Sequence, residues 1–386
     1  MLAENLRLDQ ATKRLLLLAA REKWDSPQYE TAIGLAKEVG DWNRLAEVAN
    51  SLLGVGLVHQ ALAKLPSELI PAAMMVQMKA AARMFAVRSL ASEAALLEFK
   101  TNCLDALGVK HAFFKGAALA HRYYDKPAVR AYRDVDVLID PARSLEVVRH
   151  AISCGYVPAE HVRKGDRGLV AWVKRTKVYP VMAPSGTLIE IHRSLDNDDG
   201  MVDTAQALSN AETMSLQGHL IPTLNTADLF VYICVHHTRH FWSHLHWYAD
   251  LDAISRHPLF DMAQIQEVAK RTKLVTTVDA CLRLNEFARS GKWSDAIALN
   301  DGPGEALLIR SLECLEGGIE HEKKLKLTRL SMSRAFGWQA SALQRLGLIV
   351  RREITNAYKT LRKRLGELAK ALLPERMVEW IKHVRS

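Results

Sequence analysis

At 386 residues the chain exceeds the usual reach of a single compact core, so two or three packed sub-structures are expected. Hydrophobic residues at 49% and charged residues at 25% are ordinary for a globular chain, and no uninterrupted apolar run approaches the roughly 18 to 20 residues of a membrane span. A net charge of +9 favours phosphate-bearing partners, whether nucleotides, RNA or an anionic membrane surface.

Cys103, Cys154, Cys234, Cys281 and Cys314 are odd in number and far apart, without C-x-x-C spacing. That pattern excludes a zinc knuckle and a disulfide framework and points to a reducing cytosol. The short run Leu15 to Ala20 is bounded by Arg14 and Arg21, unlike the layout of a signal peptide. A cytoplasmic location is expected, with peripheral attachment to a membrane as the alternative.

Residues 1–109 read as an α-helical N-terminal domain, rich in Ala and Leu and free of strand-like alternation. Asp41 is a candidate N-cap for a helix whose apolar face carries Leu45, Val48, Ala49 and Leu52. A long helix is expected from Ala72 towards Leu107, with Met74, Met75, Met78 and Met84 as core filler. Residues 110–200 change texture: HAFF is a short strand, AALAHRYY a helix, DVDVLI an apolar strand, and Pro141 to Cys154 a helix with Pro in its first turn. Further short strands are expected at Gly155 to Val157, Leu169 to Val173, Val178 to Met182 and Leu188 to Ile191, with the polar loop Asp196 to Gly200 closing the unit. Residues 201–350 read as helical, opening with a long or broken helix capped by Thr226, and residues 351–386 as a basic helical tail.

The chemistry centres on Lys115 to Asp140, KGAALAHRYYDKPAVRAYRDVDVLID. Side chains two apart on a strand project from one face, so Asp134 and Asp136 can share one or two divalent cations. On the later strand the same alternation sets Glu190 and His192 on one face and Ile189 and Ile191 on the other. Hard oxygen ligands suit Mg²⁺ or Mn²⁺, and two such ions about 4 Å apart stabilise both oxygens of an in-line phosphoryl displacement.

A strand, a Gly turn, a helix, a D-V-D strand and an acid on a later strand form the arrangement of the DNA polymerase β-like nucleotidyltransferase superfamily. The blocks FFKGAALAHRYY, RAYRDVDVLID, LIEIHRSL and CVHHTRHFWSHLHWYADLDAI, after WNRLAEVANSLLGVGLVHQAL, resemble more narrowly its uncharacterised bacterial nucleotidyltransferases of the NTP_transf_5 type. The resemblance implies an α+β fold, a small mixed-sheet nucleotidyltransferase core flanked by helical regions. It implies Asp134 and Asp136 as metal ligands with Glu190 as the third acid, and Mg²⁺ or Mn²⁺ as the cofactor. Gly116 is then the turn at which a triphosphate, ATP first among candidates, approaches the backbone, with the helix N-terminus favouring its charge. The superfamily has Gly-Gly or Gly-Ser there, whereas this chain has Gly116-Ala117 and lacks the serine hydroxyl. Lys115, Arg130 and Arg133 are the candidate substitutes, and His192 joins them in the nucleotide site.

The expected activity is transfer of NMP from an NTP to an acceptor, whether sugar, protein, RNA or small molecule, with release of pyrophosphate. The alternative is a non-catalytic nucleotide- or RNA-binding module that retains the fold. His236, His240 and His244 recur at four-residue spacing as one helical stripe, and Arg239 with His244 has the R-x4-H spacing of one class of helical RNases. In the resembling family this block is a scaffold helix, with Trp242, Trp247 and Asp250 as packing and hydrogen-bonding residues. The tail, with Arg351, Arg352, Lys359, Arg362, Lys363, Arg364 and Lys370, is either a solvated face or a dock for an anionic surface.

Overall fold

The computed structural model describes residues 8–163, 165–195, 203–293, 296–298 and 301–327, all within one compact unit. The loop Asp196 to Gly200 and the basic tail lie outside these residues.

Five helices come first: α1 (Gln10–Ala19), α2 (Ser26–Glu38), α3 (Trp42–Ser51), α4 (Val55–Leu62) and α5 (Ala72–Phe99). Asp9, Asp25 and Asp41 each accept a backbone N–H of the first turn of the helix that follows, and Gln28 completes a reciprocal capping box with Asp25. The long helix α5 buries Met74 and Met78, half-buries Met75 and leaves Met84 exposed, so only part of the methionine group fills core. It passes without a break into a π-turn at Lys100–Asp105.

The sheet begins with β1 (His111–Phe113), α6 (Gly116–Tyr123), β2 (Asp134–Ile139), α7 (Ser144–Ser153) and β3 (Val157–Pro158). It continues with α8 (Asp166–Arg175), β4 (Val178–Met182), β5 (Leu188–His192), α9 (Thr204–Ser209), β6 (Glu212–Leu216) and β7 (His219–Thr223). The strand order is β3-β4-β5-β2-β1-β7-β6. The sheet is mixed, for β2 runs parallel to β5 and β1 to β7 while the other neighbours are antiparallel. Leu169 to Val173, expected as a strand, is helical in α8, because Leu169, Trp172 and Val173 recur at helical spacing and Trp172 and Val173 bury there. The chain also returns to the sheet beyond residue 200, where Gln217 and Gly218 with positive φ make the two-residue turn of a β6–β7 hairpin.

The chain ends in α10 (Thr226–Arg239), α11 (Leu245–Ser255), α12 (Met262–Thr272), α13 (Val275–Ser290) and α14 (Pro303–Leu327). Asn225, one residue before the expected cap, accepts from Asp228 N and caps α10. Among the described residues no helix is long and apolar enough to cross a membrane.

Two cores sandwich the sheet. Val135, Val137, Ile139, Ile189 and Ile191 bury in one, with the end of α5, α6, α7 and α8, while Leu138 joins the helical core of α1–α4 and α10–α14 on the opposite face. That second face carries the acids.

Candidate active site

Parallel pairing of β2 with β5 sets Asp134 opposite Leu188, Asp136 opposite Glu190 and Leu138 opposite His192. The ligand atoms of Asp136, Glu190 and His192 lie within 4.8 Å of one another, and among the described residues no other three His, Cys, Asp or Glu side chains do so. Asp134, two residues earlier on the same face, stands outside that set.

Lys115 precedes α6 and reaches over the strand, its Nζ donating to Asp136 Oδ1 at 2.7 Å. His192 Nε2 lies 2.9 Å from the same oxygen and 3.5 Å from Glu190 Oε2. Asp136 is 2% exposed, and its other oxygen, Oδ2, is buried with no hydrogen-bond partner. Burial works against ionisation of Asp136, but Lys115 and then His192 outweigh it and hold the carboxyl well below the usual range. Asp134 goes the other way: burial, then the negative charges of Asp136 and Glu190, push it up to about 6 despite Lys115. Burial also opposes the charge of Lys115, and Asp136 more than restores it.

An orphaned carboxylate oxygen inside a cluster of two acids and an imidazole fits a divalent cation, since a buried acceptor is costly unless something satisfies it. The residues that can hold the ion are Asp136, Glu190 and His192, with Asp134 adjoining.

The site opens into a cleft of about 340 Å³ whose walls include Lys115, Glu190, His192, Glu160, Tyr232 and Arg239. Helix α10 closes one side, Tyr232 packing edge-on to Phe114 at 5.3 Å, and Phe114 in turn packs against the His192 ring at 5.0 Å. Burial raises the Tyr232 phenol to about 12, although neighbouring Lys115 acts against it. Tyr232 and Glu160 were not among the sequence candidates, because neither lies in a motif and only packing brings them to the cleft.

Gly116 adopts φ +45, and a Cβ there would meet Asp134 O at 3.1 Å and the Tyr132 ring at 3.3 Å. The turn therefore requires glycine for both conformation and space. Ala117 is 3% exposed and packs in the core on the far face of the sheet. Arg130 is buried and committed elsewhere, Nε and Nη2 donating to Asp250 at 3.0 and 2.7 Å and Nη1 to Ala131 O. Arg133 is exposed, with its guanidinium 5.5 Å from the Phe85 ring. Of the candidate cations, the structure brings Lys115 to the acids.

A family model described as uncharacterised nucleotidyltransferase matches residues 38–288. The chain belongs to this nucleotidyltransferase family. The matched span contains every strand of the sheet and all four residues of the acidic face. No curated protein matches the chain. Among solved structures, an antigenic nucleotidyltransferase-like protein from Paracoccidioides brasiliensis is similar at 14% identity over 50% of this chain and 92% of that one, with a TM-score of 0.29. At that score the likeness adds nothing to the fold described above.

The histidines of this nucleotidyltransferase chain do not form one helical stripe. Helix α10 ends at Arg239, Phe241 and Trp242 take positive φ, and His244 precedes α11. The rings instead surround Trp247: His237 stacks on it at 4.5 Å, His244 lies at 4.5 Å, and His240, His246 and His236 lie at 5.7, 5.8 and 6.2 Å. Burial first, and neighbouring cations next, hold His236, His237 and His246 well below the ordinary imidazole value, which keeps them neutral packing groups. Trp242 donates to Thr238 Oγ1, and Asp250 accepts from Arg130 and Tyr124, as expected of a scaffold.

Proposed function

We propose that the chain is a divalent-metal-dependent nucleotidyltransferase that moves NMP from an NTP, ATP foremost, to a hydroxyl or phosphate oxygen of an acceptor and releases pyrophosphate. The observation that carries this reading is the unpartnered Oδ2 of Asp136, buried on the strand face that Glu190 and His192 share. Bound Mg²⁺ or Mn²⁺ supplies neutralising charge to the triphosphate and to the leaving pyrophosphate.

The chain's own groups do the rest. Asp136 and Glu190 hold the cation, and Asp134 adjoins them on the same strand face. Lys115 offers a point charge to the phosphates, and the N-terminus of α6 after Gly116 favours the same anionic group. Arg133, exposed beside Phe85, is a further candidate for a phosphate contact. The acceptor oxygen bonds to the α-phosphorus, the bond from that phosphorus to the bridging oxygen breaks, and Glu190 takes the acceptor proton. Helix α10, which walls the cleft through Tyr232, His236 and Arg239, selects the acceptor. The scattered cysteines support a reducing, cytoplasmic setting.

A second reading, a non-catalytic nucleotide- or RNA-binding module, draws on Ala117, which has no hydroxyl, and on Lys115, whose ammonium already holds Asp136. Incubation with each α-labelled NTP and Mg²⁺ or Mn²⁺ separates the two. Label transfer lost in Glu190→Gln supports the enzyme. NTP retained without turnover supports the binding module.

A further inference from the structure

Asp136 and Glu190 alone would make a hard, all-oxygen site, yet the third donor of the 4.8 Å cluster is an imidazole nitrogen. His192 stands two residues beyond Glu190 on β5, and the period of the strand returns its side chain to the same face. Its ring is held edge-on against Phe114 at 5.0 Å, so Nε2 is aimed at the acids by packing. The residue is 6% exposed, which leaves little room for it to swing into water. Nε2 and Lys115 Nζ both meet Asp136 at Oδ1, and Oδ2 remains open on a carboxyl that is itself 2% exposed. An ion seated there displaces the Nε2 proton that now bridges His192 and Asp136 Oδ1, releases it to solvent, and gains an imidazole nitrogen as well as two carboxylates.

We propose that His192 is a direct ligand of the cation, so that the site between β2 and β5 binds through two carboxylates and one imidazole and selects Mn²⁺ over Mg²⁺. Imidazole suits transition metals, whereas Mg²⁺ takes carboxylate, phosphate and water oxygens and gives up water reluctantly. The proposal rests on the reading of the acids as a cation site, and it adds which ion they favour and why.

Pulsed EPR of Mn²⁺ bound to the full-length protein tests it without any turnover. Modulation from a directly bonded ¹⁴N that disappears in His192→Gln is the expected result. Competition titration of Mn²⁺ against Mg²⁺ should then show the selectivity ratio narrowing at least about tenfold in the variant. His192→Gln keeps a hydrogen-bond donor for Asp136, so a residue that only orients the carboxyl would weaken both ions equally and leave the ratio unchanged. That outcome, or bound Mn²⁺ without nitrogen coupling in the wild-type protein, overturns the proposal while leaving the nucleotidyltransferase reading intact. Failure of the wild-type protein to bind Mn²⁺ at all overturns both. The nitrogen coupling is read on the unmodified protein, so the test stands even if the variant folds poorly.

Discussion

Asp136 and Glu190 are register partners on two parallel strands, and Val137, Ile189 and Ile191 bury the opposite face of the same ladder. A slip of either strand by one residue would send its acid into that core, so the packing of the aliphatics fixes the site.

Removing one acid from this pair should abolish turnover. Glu190→Gln is expected to lower NTP-dependent pyrophosphate release by about 100-fold or more, because a negative ligand is lost where charge develops. Asp136→Asn should do the same and also lower the melting temperature, since it takes away the anion that satisfies Lys115 in a mostly buried position. Comparing the two melting curves separates the chemical loss from the structural one.

Gly116→Ala should be costly out of proportion to its size. The backbone at φ +45 disfavours any Cβ, and the added carbon meets Asp134 O at 3.1 Å. A loss of about 1–2 kcal/mol is expected from urea unfolding, together with weaker nucleotide binding in a filter assay.

Arg130 and Asp250 form a buried pair with two parallel hydrogen bonds, joined by the Tyr124 hydroxyl at 2.7 Å from the same carboxylate. Truncating only the arginine strands the carboxylate, so Arg130→Ala should cost about 3–5 kcal/mol in chemical denaturation. Arg130→Met combined with Asp250→Leu should recover much of that loss.

Glu93 on α5 accepts from Tyr132, Gln217 and His121 and so ties α5 to α6, to the segment leading into β2 and to the β6–β7 turn. Burial raises its carboxyl, and the hydrogen bonds from His121, Tyr132 and Gln217 overcome that and leave it below the ordinary value. A depressed carboxyl stabilises the fold above the unfolded value near about 4.3, and that contribution is lost as pH falls through the folded value. Glu93→Gln should therefore lower stability by about 1–3 kcal/mol at pH 7, and the gap to wild type should close below about pH 4 in melting experiments.

Local pattern determined a good deal on its own. The alternation in DVDVLI and LIEIH set the acids on one face and the aliphatics on the other, Asp41 capped α3, and Gly116 marked the turn, because each depends on neighbours within a few residues. The site was legible to the same extent: Asp134, Asp136, Glu190, His192 and Lys115 were all readable as candidates. The hairpin of β6 and β7 was missed although Gln217-Gly218 and the alternation of Met214 and Leu216 were present, because polar strand faces are a weak signal until they find partners. Helix α8 was mistaken for a strand since its Val and Trp favour strands, and packing of Leu169, Trp172 and Val173 on the sheet overrode that tendency.

Tertiary structure alone decided which residues meet. Nothing local sets β5 beside β2, so only the assembled sheet brings Glu190 opposite Asp136, 54 positions apart in the chain, with the order β4-β5-β2-β1 excluding every other neighbour. The same holds for Arg130, a free cation by sequence that the fold hands to Asp250, and for the histidines, a stripe by spacing that the positive φ of Phe241 and Trp242 turns into a shell around Trp247. Side-chain periodicity is a property of the strand or helix that carries it, whereas the partner of a buried charge is set by long-range packing of the whole chain.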